Sequence, residues 1–382
     1  MNSGDATATL KRKLVEDTAR RFAAERMVHG RKDAHEHGRP AKHVCAAFGE
    51  LGLGLAPLPM RLGGLELGAA AACQIAQLLA AGDPALAFAL PQPGAFAELM
   101  LLWGNAEQQV EWLDSFGKAP ERTWGAVAIC NSDAPEVVAR AEGGGFVLNG
   151  TVKNVWHTKV ADRLLLVTQP GVDGRKAFVM TLPCHGLSIA PHTHSAGLQA
   201  ATCGDLTFQN VRLEAQQHLT GRPFGESAPQ TEAALDLFYA RQGLRMASYA
   251  VVAALSAARY TLNFAEERRA QGNPIEHYNV LGFLLADMHL ACEASAEQLL
   301  AVAAEADSLG ASGQAVDKMA QAREDADNVA LSVVDSANNI LNDLGHAPGH
   351  PVSRWFADVQ LLARWGKPKP KRQPRRRRPK SD

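Results

Sequence analysis

Two His-x-His pairs, His35/His37 and His192/His194, have the spacing with which a chain begins to grip a metal ion. Zinc needs a third or fourth ligand that neither pair has nearby, so both are expected in solvated loops. Six cysteines (Cys45, Cys73, Cys130, Cys184, Cys203, Cys292) are scattered without metal-ligand or paired spacing, which points to reduced thiols in the cytoplasm. The glycine-rich stretch from Leu51 to Leu65 lacks both Gly-x-Gly-x-x-Gly and a Lys-Ser/Thr ending, so it is no phosphate cradle. Carboxylates, the usual proton acceptors, are absent from Leu237 to Ala265 and again between Asp358 and Asp382. Nine Lys and Arg crowd the last sixteen residues. Such a run can release counterions from a phosphate backbone, but without interleaved aromatics it is read as a solvated tail and not as a nucleic-acid reader.

The elements that must position any chemistry change character twice. From about Thr9 to Ala119 amphipathic and Ala-rich stretches are broken by Gly/Pro loops, which predicts packed helices. From about Thr123 to Leu213 the runs Gly145–Leu148, Arg163–Thr168, Ala177–Leu182 and Asp205–Leu213 read as strands, with turn signals at Asn149-Gly150 and Asp173-Gly174. No helix-length pattern intervenes, so an antiparallel or barrel-like sheet is expected and a Rossmann domain is not. Helical periodicity returns from about Ala233 to Leu362 in three long segments. In the last, Val316, Met319, Ala326, Val329, Val333, Ala337, Ile340 and Leu344 line one face, and Gly310 and Gly313 precede it as stop signals.

Composition agrees with a globular protein: 46% hydrophobic and 21% charged residues exclude a disordered or fibrous chain. At 382 residues two or three domains are expected. No run approaches the ~20 apolar residues of a membrane helix. The first residues show neither a secretory h-region nor the acid-poor composition of a transit peptide, which again makes the cytoplasm the expected compartment.

Local motifs then name a family. Gly63-Gly-Leu-Glu-Leu-Gly68, Trp103-Gly-Asn-Ala-Glu-Gln-Gln109, Gly186-Leu-Ser-Ile and the segment Gly197–Val211 look like acyl-CoA dehydrogenase loops, with Gln199 where Arg is common. Glu267-Arg-Arg-Ala-Gln-Gly-Asn-Pro-Ile275 followed by Leu285-Ala-Asp-Met288 resembles that family's Arg-rich turn and the helix after it. The resemblance implies an α+β fold with an N-terminal α-helical domain (1–122), a middle β-barrel domain (123–222), a C-terminal four-helix bundle (223–365) and a disordered basic tail (366–382). It also implies a flavoprotein of fatty acid metabolism that holds FAD between sheet, bundle and a neighbouring subunit, and acts on acyl-CoA thioesters.

Residue by residue, the match carries over unevenly. Arg268 falls where an arginine contacts the FAD pyrophosphate of the partner subunit, a role suited to the guanidinium fork; a helix-end ion pair with Glu266 or Glu267 is the competing reading. Asn131 and Ser132 stand where the family has a Thr-Glu-Pro loop over the flavin. His157 or Thr158 would donate to the flavin edge, beside Trp156, which is open to a core role as well. Asn339, with Asn342-Asp343, replaces a Gln and two glycines at the adenosine side.

The family's catalytic Glu has no counterpart. One location places Gly366 at the base position; the other, of ambiguous register, places Phe238 or Gln242 there. Asp236 and His157 are the substitutes the sequence can name. Three readings follow. The first is an FAD-dependent oxidoreductase on the CH–CH group of acyl-CoA, in a homo- or hetero-oligomer. The second is a base-lacking partner subunit of a two-subunit acyl-CoA dehydrogenase, which the segment Lys153 to Arg163 resembles. The third is a flavin monooxygenase of the same fold, for which no residue gives a positive sign.

Overall fold

A computed structural model describes residues 3–91, 93–119, 123–131, 136–170, 174–192, 195–220, 228–270, 273–274, 279–347 and 349–366. Ser132 and the basic segment 367–382 lie outside the described residues.

The N-terminal region is helical. α1 (Ser3–Phe22) passes through a π turn at Ala23–Met27 into α2 (Val28–His37), followed by α3 (Lys42–Glu50), α4 (Gly68–Ala80), α5 (Pro84–Ala89), α6 (Gly94–Trp103) and α7 (Ala106–Lys118). Local chemistry sets the starts: Asp83 accepts from the Leu86 N–H ahead of Pro84 at the head of α5. Asn105 and Gln108 form a reciprocal capping box on α7.

Seven strands follow: β1 (Gly125–Ile129), β2 (Val138–Glu142), β3 (Gly145–Trp156), β4 (Arg163–Val167), β5 (Ala177–Thr181), β6 (Leu187–Pro191) and β7 (Cys203–Leu213). They do not close into the expected barrel. Two separate sheets, ordered β1-β4-β5 and β2-β3-β7-β6, face each other instead. The three-stranded sheet is buried on both faces. Ala126, Leu164, Leu166, Phe178 and Met180 meet the other sheet, while Leu165, Val167, Ala177 and Val179 pack with Phe96, Met100, Leu113 and Phe116 of α6 and α7. A strand buried on both sides reads as a continuous apolar run, so its pattern cannot reveal whether the sheet closes. Purely antiparallel pairing also needs correcting, because β1 runs parallel to β4 in register Gly125↔Arg163, the intervening β2–β3 hairpin lying in the other sheet.

Asn149-Gly150 is not a turn. It lies inside β3 at a register shift, where Gly150 has φ 130° and an added Cβ would stand 2.1 Å from the Glu136 carbonyl oxygen. The chain reverses at Gly143-Gly144 instead, with φ 60° and 81°, between β2 and β3.

The C-terminal bundle comprises α8 (Ala228–Glu267), α9 (Asn279–Leu309), α10 (Gly313–Leu341) and α11 (Pro351–Leu362). α8, at 40 residues, is ~60 Å long and forms the spine. α9 ends at Gly310, φ 62°, and α10 begins with the Ser312 hydroxyl accepting from the Ala315 N–H. On α10, Met319, Ala326, Val333 and Ala337 are buried as expected, Val316, Val329 and Ile340 lie half-buried, and Leu344 is exposed. Small side chains let helices from both ends of the chain meet. Ala247, Ala250, Ala254 and Ala257 of α8 share one core with Ala70 and Leu79 of α4, Met319 and Val334 of α10, and Leu362 of α11. Among the described residues no helix is long and apolar enough to cross a membrane.

Candidate functional site

A cavity of about 940 Å³ opens where the sheet, α5–α6 and α8 converge. β1 contributes Val127 and Ile129, and the end of β3 contributes Trp156. Phe88 of α5 stacks edge-on against Trp156 at 5.3 Å and lies 4.9 Å from the His157 ring. His157 is held at φ 64° with its backbone N–H donating to Thr202 O at 2.6 Å. Its Nδ1 and the Thr158 Oγ1 are buried without hydrogen-bond partners. Burial, reinforced by the nearby Arg245 charge, lowers the His157 pKa to about 4, so the ring is neutral at pH 7 and too weak to act as the missing base. Asn131, at the end of β1, is exposed and donates through Nδ2 to the Tyr239 phenol, which burial pushes up to about 12.

Phe238, Gln242 and Gly366, the three positions at which a base was sought, all line this cavity. Asp236 does not: it faces outward from α8, with its carboxyl raised by partial burial and by Glu232. Gly366 has φ 63°, and a Cβ added there would come 3.1 Å from the Tyr239 ring. Gln242 is held between charges. Its Nε2 donates to Glu98 Oε2 at 2.5 Å, and its Oε1 accepts from Arg245 at 2.5 Å. Glu98, on α6, lies with Arg241, Gln242 and Arg245 along a second cavity of about 200 Å³ that shares Gly94, Gln242, Arg245 and Tyr249 with the first. Burial raises the Glu98 carboxyl above its usual range, against the opposing pull of Arg241. Sequence reading passed over Glu98. The available signal was its isolation, as the one acid in the apolar helix Gly94–Trp103.

The remaining candidates lie elsewhere. Arg268 is exposed at the end of α8 with its guanidinium 5.4 Å from the Phe264 ring, and among the described residues it makes no ion pair with Glu266 or Glu267. Asn339 is exposed on α10, 3.5 Å from Asp335. Neither lines the cavity. The first histidine pair is not in a solvated loop, since His35 and His37 lie on α2, His35 buried against Asp83 at 3.0 Å and His37 turned to the Asp33 carbonyl; of the second pair, His194 lies outside the described residues. His192 sits 3.0 Å from Asp205 at the cavity edge.

The family model described as "Acyl-CoA dehydrogenase, N-terminal domain" matches residues 9–118, and that described as "Acyl-CoA dehydrogenase, C-terminal domain" matches residues 237–366. The chain belongs to the acyl-CoA dehydrogenase family. It is 29% identical to the human mitochondrial short-chain specific acyl-CoA dehydrogenase over 68% of this chain and 64% of that protein. The pig enzyme of the same description is 25% identical over 91% and 84%. Among solved structures, butyryl-CoA dehydrogenase from Megasphaera elsdenii superposes with TM-score 0.80 at 19% identity, over 92% of this chain and 93% of that one. An acyl-CoA dehydrogenase from Geobacillus kaustophilus gives 0.81 at 19% identity, over 93% and 94%.

Members of this acyl-CoA dehydrogenase family use FAD, and the cavity of this member fits a flat, mostly apolar ring with a polar edge. Its volume lies in the range of ligand cavities. Trp156 and Phe88 supply apolar wall and the orphaned His157 Nδ1 supplies a buried polar atom that wants a partner, while the equally orphaned Thr158 Oγ1 does not line the cavity.

Proposed function

We propose that this acyl-CoA dehydrogenase family member is an FAD-dependent oxidoreductase acting on the CH–CH group of acyl-CoA thioesters. The observation that carries the reading is the cavity between sheet and α8, with its aromatic wall and the unpartnered Nδ1 of His157. Bound there, FAD supplies a hydride acceptor. In this reading His157 or Thr158 holds the flavin edge and Asn131 lies over it, Arg268 serves the pyrophosphate of a neighbouring subunit's cofactor, and Asn339 serves the adenosine side. A neighbour is also suggested by the exposed apolar side chains Val280, Phe283 and Leu290 on α9. The six unpaired cysteines, five of them buried, suit a reducing compartment such as the cytoplasm.

A second reading, the base-lacking partner subunit of a heteromeric acyl-CoA dehydrogenase, is favoured by one observation: Phe238, Gln242 and Gly366 line the cavity and none can take a proton. A visible spectrum of the purified chain separates the two. A yellow protein bleached anaerobically by butyryl-CoA supports the first. A chain that is colourless alone and binds FAD only beside a second family subunit supports the other. Lack of colour under every pairing removes the cofactor assignment.

A further inference from the structure

The proton acceptor that positions 242 and 366 lack has a candidate on a different element. We propose that Glu98 of α6 is the general base of this chain, taking the α-proton of an acyl thioester from beside Gln242. This rests on the dehydrogenase reading above.

Four observations converge. Glu98 is one hydrogen bond, Gln242 Nε2 to Glu98 Oε2, from a residue where the resemblance seeks the base. The chain of contacts from Arg245 to Gln242 to Glu98 fixes the carboxylate plane, as a positioned base requires. The other oxygen, Oε1, is buried and ion-paired with Arg241 Nη1 at 3.6 Å, with no short hydrogen bond on it. At that distance the ion pair holds the anion without occupying Oε1 as a short hydrogen bond would. Finally, Glu98 lines the small chamber that adjoins the larger cavity at Gly94, Gln242, Arg245 and Tyr249, so an acyl chain entering it passes this oxygen. Burial raises the carboxyl, which makes it a better proton acceptor than a solvated one, and Arg241 and Arg245 keep the anion accessible.

The step balances. The Cα–H bond breaks with its proton passing to Glu98 Oε1. The hydride leaving Cβ would go to the oxidised FAD that the dehydrogenase reading supplies as acceptor. The electron pair left at Cα becomes the new Cα=Cβ bond.

The test compares the FAD-loaded wild type with Glu98→Gln and with Glu98→Gln/Gln242→Glu, using butyryl-CoA in D₂O. Three readouts are taken: the flavin-to-protein ratio, anaerobic loss of visible absorbance, and deuterium uptake at the α-carbon, which counts proton removal without electron transfer. Glu98→Gln should keep its flavin and lose exchange by ~10²–10⁴-fold, and the double variant, with the carboxylate moved across the same hydrogen bond, should regain part of it. Exchange should rise with pH above the ordinary carboxylate range in the wild type. Wild-type exchange in Glu98→Gln overturns the proposal and leaves the dehydrogenase reading intact. An inert wild type beside an active double variant overturns the proposal and favours the base-lacking subunit reading over the dehydrogenase one. If all three hold flavin and none exchanges or bleaches, both the proposal and the reading fall.

Discussion

At position 366 the backbone itself resists a side chain. With φ 63° and the Tyr239 ring 3.1 Å from an added Cβ, Gly366→Glu should cost about 1–3 kcal/mol in urea unfolding and, added to Glu98→Gln, restore no flavin bleaching, unlike Gln242→Glu in that background. A different buried acid governs pH response. Asp358 on α11 accepts from the Leu198 N–H at 2.5 Å, and burial with the nearby Asp83 charge lifts its carboxyl to about 7, against His35 and Arg354. Because the folded pKa lies above the unfolded one, its contribution is complete below pH ~4 and is lost as pH rises through 7. His35, also raised, has the same sign. His157, lowered to about 4, has the opposite one, its contribution disappearing on acidification from ~6.5 towards 4. Asp358→Asn keeps an acceptor for Leu198. Its stability relative to wild type should therefore climb by on the order of 1 kcal/mol per pH unit between ~5 and 7, read from denaturant midpoints across pH.

Elements owe their ends to a few side chains and their pairing to context. Ser312→Ala removes the cap of α10 and should cost about 1 kcal/mol, visible as a lower Tm without a change of fold. Gly150→Ala should cost more than the ~1 kcal/mol of an ordinary strand substitution, since its Cβ would strike the Glu136 carbonyl at 2.1 Å; equal stability would show that the β3 bulge can relax. The glycine stop at Gly310 was readable because it acts within a few residues of its own position. The bulge was not, because Asn-Gly chemistry is the same in a turn and inside a strand, and the partner strand decides between them. The open two-sheet arrangement escaped for a related reason: the Arg163–Val167 run is apolar on both faces.

Across the whole molecule, N-terminal helices and bundle share one apolar core, so they should unfold together. Leu244→Ala, at a fully buried position of α8, should cost about 2–5 kcal/mol and lower a single transition, whereas two separated transitions would contradict a shared core. The α9 side chains Val280, Phe283 and Leu290, between 62% and 84% exposed, form the apolar surface expected to meet another subunit; Phe283→Glu should reduce the sedimenting mass. Helical and strand periods, glycine stops and the Arg-rich motif near Arg268 repeat or cluster locally, and they determined the family resemblance, the α–β–α order and the lack of acid at Gly366 and from Leu237 to Ala265. Only tertiary structure could bring Glu98 of α6 to Gln242, 144 positions apart, or bury His157 until its pKa falls to about 4. Spacing along a chain encodes which face a residue takes. What stands opposite that face is set by how distant helices pack.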